Sequence, residues 1–146
     1  MAPLDDQELS TAIQDADSSA YSVRGAAGRR LAGSDKIEEV ADVIHRLLLD
    51  AQDTWVIQET AEALLERKDT IGLRYVLLAY SQAGNDDAVD HLSAALDCDP
   101  EWMTTEGADR LIEQYRELAT DPDAGVRSEA QEVLAQLRRR EEWARD

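Results

Sequence analysis

Several features that would indicate a particular class of protein are missing from this sequence of 146 residues. Its one cysteine, Cys98, has no partner for an internal disulfide bond. No apolar run approaches the roughly 20 residues that a helix needs to span a bilayer. The first ten residues are acidic, whereas a signal peptide begins with a basic stretch followed by an apolar one. We therefore expect a cytoplasmic protein.

Positive charge is also scarce, because 15 Lys and Arg residues stand against 32 Asp and Glu residues. The formal net charge of −17 argues against a nucleic-acid partner, since nucleic acids are bound through basic patches that displace counterions from phosphates. It argues equally against an anionic membrane surface. The hydrophobic fraction of 43% is that of a globular protein, so we expect one folded domain. Arginine outnumbers lysine and alanine is frequent, a composition typical of GC-rich bacterial genomes.

The motifs of common enzyme classes are absent as well. No Gly-x-Ser-x-Gly elbow and no phosphate-binding glycine loop occurs. His45, His91 and Cys98 are scattered, without the spacing of zinc ligands or of a Cys–His nucleophilic pair. The stretch that begins at Asp97 superficially resembles a calcium loop, but its twelfth position, where a glutamate is required, is Ala108. We predict no catalytic residue, no metal site and no cofactor.

An internal repeat is the main feature that the sequence does contain. Valines recur at separations of 33, 33 and 37 residues, at Val23, Val56, Val89 and Val126. Four residues after each valine, the residue is small. Three residues before it, three of the four copies have an aspartate, a residue type that caps the N-terminus of a helix. These predicted caps are Asp53, Asp86 and Asp123.

The segments between the valine anchors also have a helical pattern. Apolar residues of segment 37–48 recur at the i, i+3, i+4 and i+7 spacing of an amphipathic helix, as do those of segments 73–80 and 108–118. With a first helix after Asp5 or Asp6, the pattern predicts four helix pairs, about eight helices in all. Gly25 and Gly28 fall inside a predicted helix, where they either permit close contact with another helix or weaken the first repeat.

Paired helices at this period are similar to HEAT-like repeats of the short bacterial kind. Two stretches carry the resemblance: residues 121–137, with Val-Arg at 126–127 followed by Ala and Leu at helical spacing, and residues 21–31. The resemblance implies an all-α fold, a right-handed α-solenoid of about four HEAT-like helix pairs that covers residues 1–146 as a single domain. In the family an arginine–aspartate ladder joins neighbouring repeats.

The resemblance implies a ladder role for five residues, by position: Arg24, Arg127, Asp53, Asp86 and Asp123. The two middle copies have Ile57 and Asp90 in place of the arginine, so we expect the ladder to be broken there. Some proteins of this family are bilin lyases and others are DNA glycosylases. The glycosylases use a basic groove, which does not fit the charge of this chain.

Negative charge is concentrated in the third repeat and its exit, because no Lys or Arg occurs between Arg74 and Arg110. Such a segment is either a solvated acidic face or a surface that steers a basic partner. The resemblance implies that the second helix of each pair lines the concave face. Trp102 is a further candidate, because it follows Pro100 in the longer, 37-residue spacing of the repeat. The candidate partner-binding residues are Glu59, Glu62, Glu66, Asp86, Asp87, Asp90, Asp97 and Trp102.

The function that we expect is a non-catalytic protein–protein interaction module with an acidic surface for a basic partner protein. We expect it to act as a monomer rather than as an obligate oligomer, and without nucleic acid or membrane. A narrower alternative is an immunity protein or nucleic-acid mimic that neutralises a basic toxin or nuclease. A second alternative, from the resemblance, is an enzyme related to the lyases or glycosylases.

Overall fold

A computed structural model describes residues 4–145, which form eight α-helices and two short 3₁₀ helices without any strand. The α-helices are α1 (Asp6–Asp15), α2 (Tyr21–Ala32), α3 (Ala41–Leu48), α4 (Thr54–Glu66), α5 (Thr70–Gln82), α6 (Asp86–Asp97), α7 (Thr105–Leu118) and α8 (Ala124–Arg145). The 3₁₀ helices, Ile37–Val40 and Pro100–Met103, precede α3 and α7. The predicted all-α class is confirmed. Residues 1–3 and 146 of the predicted domain lie outside the described residues.

Side-chain caps determine where several helices begin. Asp53 Oδ1 accepts a hydrogen bond from the Trp55 amide at 2.8 Å, and Asp123 Oδ1 accepts one from the Val126 amide at 2.9 Å, as the repeat predicts. The prediction for Asp86 is wrong. Asn85 caps α6 by accepting a hydrogen bond from the Ala88 amide at 2.8 Å, and Asp86 is the first residue of the helix. Asparagine caps a helix as well as aspartate does, so the helix begins one residue earlier than the aspartate pattern indicates.

The core is one cluster of buried apolar side chains that extends from Leu9 in α1 to Ala130 in α8. Every α-helix contributes to it, and burial of each large aliphatic side chain favours folding by about 1.5–3 kcal/mol. Its fully buried members include Leu31, Ile44, Leu64, Leu77, Leu92 and Tyr115. All eight α-helices of the described residues therefore share one apolar core.

The most extensive helix contact is between α2 and α4, and two glycines make it possible. A Cβ atom at Gly25 would lie 2.1 Å from Cζ3 of Trp55, and one at Gly28 would lie 2.1 Å from Oγ1 of Thr60. Neither position has room for a side chain. The interpretation that these glycines permit close contact is confirmed, at a cost of about 1 kcal/mol per glycine in helix propensity.

The helices α2, α4 and α6 form a row in which each contacts the next. The last helix does not extend this row, because α8 packs mainly against α5 and α7. The row of second helices therefore ends at α6, and the fourth helix pair is attached through α5.

The arginine–aspartate pairing differs from the expected ladder. Arg24 is 6% exposed, and its guanidinium donates to both carboxylate oxygens of Asp50, at 3.0 and 3.2 Å. The acid partner is Asp50, whose Oδ2 also accepts hydrogen bonds from the amides of Gln52 and Asp53, whereas the carboxylate of Asp53 caps α4. Arg127 donates only to backbone carbonyls, with Nη1 at 2.8 Å from the oxygen of Asp121. The expected ladder roles of Asp53, Asp86 and Asp123 are wrong: none of them pairs with an arginine in the described part of the chain.

A second bidentate pair, which the repeat does not predict, joins Arg74 on α5 to Asp121 ahead of α8. Arg74 donates from Nε and Nη2 to the two carboxylate oxygens, at 2.8 and 3.1 Å. The dipeptide Leu73-Arg74 is similar to Val23-Arg24, but it lies on the first helix of its pair. The Val-Arg dipeptides of the repeat lie on second helices. This pair holds α8 against α5 in the way that the first pair holds α4 against α2.

Candidate partner-binding cleft

A cleft of about 620 Å³ opens between α4, α6 and the 3₁₀ helix Pro100–Met103. Its volume is within the range of roughly 300–1,000 Å³ that is usual for ligand sites. The lining residues come from α4, from α6, from the residues that follow these helices and from the start of the 3₁₀ helix. They are Gln58, Glu62, Leu65, Glu66, Lys68, His91, Ala94, Ala95, Cys98, Asp99, Pro100 and Glu101.

The charged groups of the cleft are mostly acidic, and two of the four acids are already paired. Glu66 is 2.9 Å from Arg29, and Glu101 is 3.1 Å from Lys68 and 3.5 Å from Arg110. The hydrogen bond from Lys68 is the main reason that the pKa of Glu101 is lowered. The other two acids, Glu62 and Asp99, have no ion pair among the described side chains.

Asp99 is the most buried acid of the cleft, with 8% of its surface exposed. Its Oδ1 accepts a hydrogen bond from the Glu101 amide at 3.0 Å, which caps the 3₁₀ helix. Loss of hydration raises the pKa of the Asp99 carboxyl. The amide hydrogen bond and the positive charges of Arg110 and Lys68 only partly oppose this rise. Among the side chains of residues 4–144, no cationic nitrogen lies within 4.0 Å of the Asp99 carboxylate.

Glu62 lies on the wall of the cleft that α4 forms. It is half-buried, and its Oε1 accepts a hydrogen bond from the side-chain amide of Gln58 at 3.0 Å. A neutral amide does not compensate a carboxylate charge, so Glu62 contributes negative potential to the cleft.

The eight predicted partner-binding residues do not form one site. Glu62 and Glu66 line the cleft. Glu59 instead points towards α2, where its Oε2 is 2.8 Å from Nη1 of Arg29. Asp97 is exposed next to the cleft but does not line it, and its carboxylate is 3.4 Å from the Ser93 hydroxyl.

Asp86, Asp87 and Asp90 form a separate surface, the α6 acidic face, at the N-terminal half of that helix. All three are exposed, and none has an ion pair with the side chains of residues 4–144. Asp86 and Asp87 lie in the first turn, where the helix dipole favours negative charge. The dipole explains their position without any internal partner.

Trp102 supports the cleft from behind and does not line it. Its indole N–H donates to the Leu96 carbonyl at 3.2 Å, and its ring stacks on Tyr115 with centroids 6.1 Å apart. Tyr115 is 2% exposed, and its burial strongly raises the pKa of its hydroxyl. Trp102 thus holds the 3₁₀ helix against α6 and α7. Its ring is half-buried and makes these contacts within the protein.

The pattern of the sequence did not single out Asp99, His91 and Cys98 as neighbours in a cleft. His91 and Cys98 are seven residues apart, which places them on one face of α6, and both line the cleft. Cys98 is a free, exposed cysteine, and it shares no hydrogen bond with His91 in the described part of the chain. The i, i+7 spacing was the available signal for this pair.

No protein-family model matches this chain, and neither the curated proteins nor the solved structures include a significant match. No helix within residues 4–145 is both long and apolar enough to cross a membrane. Over the same residues, no group of three or more His, Cys, Asp or Glu side chains is arranged to hold a metal ion.

Proposed function

We propose that this protein is an interaction module that presents an acidic surface to a basic partner protein. The main support for the proposal is that the cations and the acids of the protein differ in their internal ion pairing. Most cationic side chains are held in internal ion pairs, whereas the α6 acidic face, Asp86, Asp87 and Asp90, has none among the described residues.

The cations lie where they stabilise the fold. Arg24 and Arg74 each join two helix pairs, and Arg67 donates to the backbone carbonyls of Ala32 and Ser34 at 2.8 and 2.9 Å. Because these guanidinium groups are occupied, they cannot neutralise the α6 acidic face. A surface with one sign of charge speeds the encounter with an oppositely charged partner, and this effect weakens as salt screens it.

The same proposal includes a HEAT-like α-solenoid as the scaffold. Its support is the row formed by α2, α4 and α6, and the two bidentate arginine–aspartate pairs between helix pairs. A solenoid exposes long faces of its second helices, which suits a module whose task is binding.

The size of the charge, −17 over 146 residues, favours a narrower form of this function. In that form the partner is a basic nuclease or toxin, and the chain acts as an immunity protein or nucleic-acid mimic. The proposal includes no catalytic step. It places the chain with binding modules rather than with lyases or glycosylases, because a glycosylase needs a basic groove.

The test begins with affinity capture from the lysate of the source organism, followed by identification and purification of the captured partner. Binding of that partner is then measured for a variant with Asp86→Lys, Asp87→Lys and Asp90→Lys. The matched control carries Glu8→Lys, Asp42→Lys and Glu141→Lys, which are exposed acids elsewhere and give the same change in net charge.

We expect a basic partner that no longer binds the triple lysine variant at positions 86, 87 and 90, which we call the α6 variant. The control variant should still bind this partner, and salt should weaken its binding to the wild type. Equal binding by the α6 variant and the wild type would rule out the α6 acidic face as the docking surface. An equal loss in both variants would show that only overall charge matters, which also contradicts the proposal.

A further inference from the structure

We infer that the cleft between α4, α6 and the 3₁₀ helix Pro100–Met103 binds one arginine side chain of the basic partner. Its guanidinium pairs with the Asp99 carboxylate, and its aliphatic stem packs on the apolar wall. The inference rests on the proposed function, because the bound arginine belongs to the basic partner of that proposal.

The apolar wall fits an aliphatic stem. Leu65, Ala94, Ala95 and Pro100 line the cleft, and the two alanines keep the α6 side open because their side chains are short. Ala94 is exposed, so its methyl group faces the opening and not the core. Arginine buries its methylene stem along such a surface while its charged end binds a polar group.

The polar end of the cleft fits a guanidinium. Asp99 is more than nine-tenths buried, and its Oδ1 accepts one backbone hydrogen bond. Its Oδ2 accepts no hydrogen bond from the described residues and is not among the side-chain atoms sealed from solvent, so it is open to a donor that enters the cleft. A carboxylate that has lost much of its hydration gains from a bound cation with several N–H donors.

Arginine fits this place better than lysine does. A guanidinium is more weakly hydrated than an ammonium ion, so it loses less when it enters a partly apolar cleft. Its planar donors also bind a carboxylate and a second acceptor together, and Glu62 lines the same cleft without a cationic partner.

The test uses the full chain and a blocked Ala-Arg-Ala peptide as the probe. NMR titration follows the methyl signals of Leu65, Ala94 and Ala95, and the comparison peptides carry lysine or neutral citrulline in place of arginine. We expect saturable shifts of these methyl groups with the arginine peptide, weaker binding of the lysine peptide and no saturable binding of the citrulline peptide. Binding of the citrulline or lysine peptide as tight as that of the arginine peptide would overturn the inference.

Two substitutions with matched controls separate the charge of the cleft from its shape. Asp99→Asn keeps an acceptor for the Glu101 amide but removes the charge, and it should weaken the arginine peptide by roughly ten- to a hundredfold. Asp97→Asn removes an exposed charge two residues away and should leave binding within a factor of about two. Ala94→Leu should block the cleft, whereas Ala26→Leu on the exposed side of α2 should not. Full binding by Asp99→Asn would overturn the inference.

Binding of the captured partner to the Asp99→Asn variant and to the α6 variant distinguishes this inference from the proposed function. If the captured partner binds the Asp99→Asn variant as it binds the wild type, but not the α6 variant, the proposed function stands and the inference fails. If neither variant weakens the partner, both fail. If both variants weaken it and the Asp97→Asn control does not, both are supported.

Discussion

The guanidinium of Arg74 on α5 donates to both carboxylate oxygens of Asp121, a residue 47 positions later in the chain and 9% exposed. Arg74→Gln removes the cation and leaves this carboxylate without its partner. Because breaking a buried pair costs several kcal/mol and breaking an exposed one costs less than 1, we expect this partly exposed pair to cost about 1–3 kcal/mol. Urea unfolding measures the change.

Arg116→Gln is the matched control for this loss. Arg116 pairs with Glu113 at 3.6 Å on the same helix, and both side chains are well exposed. We expect a change below about 0.5 kcal/mol. Similar losses from the two arginine substitutions would mean that the Arg74–Asp121 pair does not hold α8 in place.

The same pair predicts a dependence of stability on pH. The hydrogen bond from Arg74 lowers the pKa of Asp121, so the folded state binds a proton at this carboxyl less readily than the unfolded chain, whose aspartates titrate near about 3.9. The stabilisation is complete above that value and is lost as the pH falls through the lower pKa of the folded state. The free-energy difference between wild type and Asp121→Asn should therefore shrink below about pH 4 in urea unfolding. A difference that stays constant down to pH 2 would contradict this assignment.

The close contact of α2 and α4 predicts a strong effect of one methyl group. Gly28→Ala places a Cβ 2.1 Å from Oγ1 of Thr60, so we expect a net loss of about 1–3 kcal/mol despite the better helix propensity of alanine. Gly84→Ala is the control, because a Cβ there meets nothing within 4 Å. Thermal unfolding measures both variants. The double variant Gly28→Ala, Thr60→Ala should recover part of the loss, and an additive result would show that the clash is not the cause.

The cap of α6 gives a direct test of where this helix begins. Asn85→Ala removes the acceptor of the Ala88 amide and should cost about 1 kcal/mol. Asp86→Ala removes only a first-turn charge, so it should cost a few tenths of a kcal/mol, and less in high salt. A larger loss for Asp86→Ala than for Asn85→Ala, measured by urea unfolding at two salt concentrations, would place the cap at Asp86 instead.

These relationships show which parts of the molecule local sequence patterns predict. Apolar spacing predicted the helices because each helix buries one stripe of its own side chains. The caps at Asp53 and Asp123 were predictable because each carboxylate accepts a hydrogen bond from an amide two or three residues later. The Arg74–Asp121 pair joins residues far apart in sequence, so no local spacing indicates it. Glu62 and Glu66 are two of the eight candidate residues and both line the cleft, whereas Asp99, which no pattern indicated, enters it because the 3₁₀ helix folds back against α6 and α7.

The buried carboxylate of Asp99 gives a last prediction, with the opposite sign to that of Asp121. Loss of hydration raises the pKa of Asp99, so its charged form destabilises the folded state at neutral pH, and this cost disappears as the pH falls below about 3.9. Asp99→Asn keeps the cap of the 3₁₀ helix and removes the charge. We expect this variant to be more stable than the wild type at pH 7 by a few tenths to about 1 kcal/mol, and equally stable at pH 3. Urea unfolding at the two pH values measures this difference, and a variant that is less stable at pH 7 would show that the carboxylate is not strained. A gain in stability would mean that the protein keeps a charge which its fold does not need, as expected where a carboxylate serves binding rather than folding.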